Sequence, residues 1–68
     1  MSELQPHQQR IVTEKEELDE RLKKLRTFIS DKGPVYMRLP EDEKNRLIRQ
    51  EKAMSDYSTV LGERIGAF

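Results

Sequence analysis

The spacing of apolar residues between Gln8 and Ile29 constrains the fold most. In QQRIVTEKEELDERLKKLRTFI, residues Ile11, Leu18, Leu22, Leu25 and Ile29 recur at alternating steps of four and three, once the place of Lys15 is counted as a gap. That spacing draws one apolar line along a helix made to pack on another helix. Acidic residues fill the middle of the stretch and basic ones follow, so Glu17/Arg21, Asp19/Lys23 and Glu20/Lys24 fall at the favourable i, i+4 separation.

A second segment repeats the pattern. Leu47, Met54, Leu61 and Phe68 recur every seven residues, and Ile48, Val60 and Ile65 widen the stripe. Between the two segments Asp31-Lys32-Gly33-Pro34 is a helix stop, with Gly33 suited to the left-handed position and Pro34 unable to continue the helix. Leu39-Pro40-Glu41-Asp42-Glu43 is a helix start, its carboxylates placed where the helix dipole favours them. The expected fold is all-α, one domain over residues 1–68: helix 1 from about 6 to 31, a connector over 32–39, and helix 2 from about 40 to 67. Two helices of equal length joined by a short connection make an antiparallel two-helix hairpin. Val35, Tyr36, Met37 and Leu39 make the connector apolar enough to fold back over the end of the pair.

A chain of 68 residues with no cysteine has neither the length for a large core nor a disulfide to brace a small one. With one histidine, His7, and no thiolate, a structural zinc site is not expected either. Self-association is then the expected stabiliser, the hairpin assembling as a dimer or higher homo-oligomer into a helical bundle. Its expected core is Ile11, Leu18, Leu22, Leu25, Ile29, Leu47, Met54, Leu61 and Ile65. Thirteen basic residues balance thirteen acidic ones, so no long-range field draws the chain to nucleic acid or an anionic membrane. No apolar run approaches the roughly 18 residues of a membrane span, and the N-terminus does not read as a signal peptide, so the expected address is the cytoplasm.

No catalytic or cofactor motif occurs: there is no glycine-rich phosphate loop, no H-E-x-x-H and no G-x-S-x-G, so the expectation is a non-enzymatic protein without cofactor or metal. Ser58, Gly62 and Gly66, four apart, make a strip of small residues that suits either close approach to the backbone or helix fraying. Gln50, Tyr57 and Arg64 recur every seven residues beside the Leu47, Met54, Leu61 line, where a plain bundle would carry leucine or isoleucine. Such polar groups serve either as a register device or as the lining of a pocket between subunits. If the turn is centred near residue 35, Arg64 comes close to His7 and Arg10, and Tyr57 close to Glu14. The expected ligand is therefore anionic, held by Arg10 and Arg64 with Tyr57 and Gln50 beside them. A cyclic nucleotide has the right chemistry, with bases against the tyrosine and phosphates on the guanidiniums. Lys23, Lys24, Arg26, Arg46 and Arg49 gather near the connector as a second basic cluster, better read as a solvated helix face.

The run HQQRIVTEKEELDERLKKLRTFI, the Leu39-to-Glu43 helix start, Met54-Ser-Asp-Tyr57 and Leu61-Gly-Glu-Arg64-Ile65-Gly-Ala-Phe68 together resemble the small uncharacterised proteins of tailed bacteriophages and prophages named by relation to a crAss-like phage protein. The resemblance covers almost the whole chain. It implies a phage accessory protein made in the host bacterial cytoplasm, of the kind that counteracts antiviral defence by sequestering a signalling nucleotide or blocking a host protein. The alternative is a structural or regulatory coiled-coil component of a phage assembly.

Overall fold

A computed structural model describes residues 3–68 as three helices, α1 (Pro6–Asp31), α2 (Pro34–Arg38) and α3 (Glu41–Gly66), with no strand among them. Pro6 opens α1, where its missing N–H leaves no partner unsatisfied, and the Gln5 N–H donates to Gln8 Oε1 at 2.9 Å. Three carboxylates, Glu41, Asp42 and Glu43, occupy the first turn of α3, and Arg64 lies in its last turn, both signs agreeing with the helix dipole.

Contacts between α1 and α3 run in opposite senses along the chain. Lys15 meets Ser58, whereas Arg26, further along α1, meets the earlier residues Glu51 and Ser55 of α3. The two long helices are thus antiparallel, forming a hairpin of 50 × 16 × 14 Å. Leu61 is wholly buried and packs with Ile11 and Leu18, and Met54 and Ile65 close over them. Leu22 is buried as well, while Leu25, Ile29 and Leu47 are half-buried nearer the connector.

At the turn the structure departs from simple expectation in two ways. Lys32, not Gly33, adopts the left-handed conformation (φ 49°), and Gly33 is extended. The cause is Pro34, whose ring disfavours helical backbone at the residue before it and pushes the left-handed position one step back. The connector is also not an open loop, because Pro34–Arg38 forms a helical turn that ends at an extended Leu39, again just before a proline. Tyr36 of α2 is buried, with its ring edge-on to Phe28 of α1 at 5.7 Å between centroids, and with the Lys44 ammonium of α3 5.5 Å from the ring centre. One aromatic ring therefore joins all three helices at the closed end.

Candidate functional site

On α3 the residues that face α1 are Leu47, Glu51, Met54, Ser58, Leu61 and Ile65, all buried or half-buried and spaced four and three apart. Gln50, Tyr57 and Arg64 each precede one of these by a single position, and all three are exposed. They form one flank of the hairpin rather than part of its interior, and Gln50 makes only a long contact to the Met54 sulfur at 3.8 Å. Arg10 on α1 is exposed as well.

The register differs from one centred on residue 35, because the chain reverses at Leu39-Pro40 after α2 has crossed the end of the pair. With Lys15 against Ser58 and Gly62, Arg64 stands level with about Thr13, roughly one turn from Arg10, and Tyr57 stands beyond Lys15, further from the open end than Glu14. Arg10 and Arg64 remain in the same half of the hairpin, towards its open end. Among the described residues neither has a carboxylate partner, in contrast to Lys15, Lys24, Arg26, Lys44, Arg46 and Lys52, which all do.

That pairing extends to part of the basic cluster near the connector. Arg26 donates to Glu51 at 2.7 Å and Arg46 to Glu43 at 2.7 Å, while Lys24 lies 4.0 Å from Glu20. Lys23 and Arg49 of the same cluster have no carboxylate partner among the described residues, and neither do Lys32 and Arg38 beside the connector, so pairing alone does not separate the two ends of the hairpin.

Residues 5–67 match the family model described as Sequestin. The chain belongs to the Sequestin family. No curated protein and no solved structure matches it. The match spans α1, the connector and α3, so the hairpin as a whole, and not one helix of it, is the family's unit.

Within that unit the seam contains a polar cluster that helical periodicity alone shows only as the gap at Lys15. The Lys15 ammonium donates to Asp19 Oδ2 at 2.8 Å and to Ser58 Oγ at 3.0 Å, and the Ser58 hydroxyl donates to Asp19. A Cβ on Gly62 would come within 3.3 Å of Lys15 Cε, so the small residues at 58 and 62 make the notch in which the lysine stem lies. Gly66 meets nothing comparable. Both the ammonium and the hydroxyl are turned to the Asp19 carboxylate, so the cluster satisfies a cation on an otherwise apolar line.

The Lys15 ammonium and the Ser58 hydroxyl hold the Asp19 carboxyl below its ordinary value of 3.8. A carboxylate lowered in the folded state adds stability above its unfolded value, and that stability is lost as pH falls through the lower folded value. Asp19→Asn is therefore expected to lessen the fall in stability on acidification below about pH 4, measured by urea unfolding at a series of pH values. An acid profile identical to that of the unmodified chain would show that the cluster does not contribute through ionisation.

Proposed function

We propose that the chain is a non-enzymatic phage accessory protein that sequesters an anionic signalling nucleotide of host antiviral defence. The observation that carries this reading is the unused chemistry of one flank: Arg10 and Arg64 are exposed and unpaired at one end, with Tyr57 and Gln50 further along the same stripe. Arg21, Lys23, Lys32, Arg38 and Arg49 also lack a carboxylate partner among the described residues, but Arg10 and Arg64 stand roughly one turn apart on neighbouring helices, a placement in which two guanidiniums are suited to bidentate phosphate binding. Tyr57 supplies an aromatic face for a base and Gln50 an amide for its edge. The family name agrees with capture rather than turnover. Self-association belongs to the same reading, because the hairpin leaves Ile48, Tyr57 and Val60 exposed on α3 and a second copy would cover apolar area.

Calorimetric and thermal-shift titration with cyclic di- and trinucleotides, NAD-derived cyclic nucleotides and inorganic phosphate tests the proposal. At least one cyclic nucleotide should bind, and Arg64→Ala should weaken it tenfold or more, in line with the roughly 1.5–3 kcal/mol of a hydrogen bond to a charged group. If no nucleotide binds, while a host protein is recovered whose binding survives Arg10→Ala and Arg64→Ala, the chain blocks a protein and the stripe is not its site.

A further inference from the structure

Besides the face that meets α1, α3 and its C-cap residue Ala67 carry another line at steps of three and four: Gln50, Ala53, Tyr57, Val60, Arg64 and Ala67. All six are exposed, with Tyr57 46% and Val60 49% accessible, and none is acidic. Large and small side chains alternate along the line. This is the spacing of a helix-packing seam, on a face that one copy of the chain leaves bare.

The binding stripe is also incomplete within one chain. Gln50 and Arg64 are fourteen residues apart, roughly 21 Å along the helix at ~1.5 Å per residue, so they cannot close on one compact ligand. The described residues of a single copy enclose no cavity.

We infer that a second copy of the chain lays its α3 antiparallel on this line, about a two-fold axis between Tyr57 and Val60. In that pairing Tyr57 faces the partner's Val60, Gln50 the partner's Ala67, and Arg64 the partner's Ala53. Gln50 and Arg64 then each meet an alanine and Tyr57 meets the smaller but apolar Val60, and the same patch serves both copies, as two-fold symmetry requires. This self-complementarity is what selects a second copy over an unrelated partner. A parallel alignment in register would set Tyr57 on Tyr57 and Arg64 on Arg64, stacking like charge on like charge.

The two-fold places Arg64 of one copy near Gln50 and Tyr57 of the other, over the space that Ala53 leaves, and it does so twice per dimer. For its ligand this inference rests on the nucleotide-capture reading; for the interface it does not. Ala53 is exposed in the hairpin and lies mid-helix, so replacing it leaves the α1–α3 seam untouched.

Sedimentation equilibrium of the full chain, with helicity checked by circular dichroism, tests the interface by charge. Ala53→Arg sets arginine against the partner's Arg64 at two symmetric places and should raise the dimer dissociation constant at least tenfold with helicity intact. Ala53→Glu should keep or tighten the dimer, and Ala53→Arg combined with Arg64→Glu should restore it. A monomeric unmodified chain, or a dimer indifferent to Ala53→Arg, overturns the inference. Titration of the same variants with cyclic di-GMP, cyclic GMP-AMP and cyclic triadenylate separates the two readings. A charge-sensitive dimer that binds none of them removes the nucleotide and keeps the interface, whereas binding that survives Ala53→Arg while the dimer is lost keeps the nucleotide and removes the site shared between the copies.

Discussion

Leu61→Asp is expected to abolish the cooperative thermal unfolding transition and leave a chain with little helix in circular dichroism at 25 °C. Leu61 has no exposed surface and packs on Ile11 and Leu18 at the centre of the seam, and the cation on that line, Lys15, is already held by Asp19 and Ser58. The substitution both empties the leucine site and puts a charge into it, a combined cost of about 5 kcal/mol or more. At roughly 0.05–0.15 kcal/mol per residue, a chain of 68 residues has about 3–10 kcal/mol of stability to lose. Thr59→Asp, two positions away and exposed, should change stability by less than about 1 kcal/mol. A folded Leu61→Asp variant would mean that α1 and α3 meet on other faces.

The second large effect is expected at the closed end. Tyr36→Ala removes the ring that touches Phe28 edge-on and lies beneath the Lys44 ammonium, so it detaches α2 from both long helices. Loss of a buried aromatic side chain costs about 3 kcal/mol, which in a chain of this size lowers the thermal midpoint by on the order of 15 °C. Tyr36→Phe keeps the ring, its edge contact and the cation above it, and should retain most of that stability. Equal midpoints for Tyr36→Ala and the unmodified chain would show that α2 only connects and does not brace.

The difference between these two sites also shows what the sequence discloses. Leu61 could be placed by periodicity, because Leu47, Met54 and Leu61 share one helix face and a helix pair buries that face. Tyr36 could not, since five residues between two prolines carry no period, and its burial depends on Phe28 and Lys44 meeting across the turn. For the same reason the register of α1 on α3 was hidden: it is set by how far α2 reaches before the chain reverses. The candidate stripe shows the same division. Heptad spacing alone brings Gln50, Tyr57 and Arg64 onto one flank, but only the register tells which residues of α1 stand beside them. Lys15, Asp19 and Ser58 appear in the pattern as one missing apolar residue and two ordinary polar ones, and only the contacts between them reveal a shared role.

The hairpin is proposed to capture an anionic nucleotide on a stripe that one copy alone does not complete. Native mass spectrometry of freshly purified chain measures both halves of that claim at once. The predicted spectrum shows an even-numbered assembly carrying the additional mass of a cyclic nucleotide when one is supplied, and losing it in Arg64→Ala. A bare monomer that takes up none of the cyclic nucleotides at concentrations well above those in a cell would contradict the account.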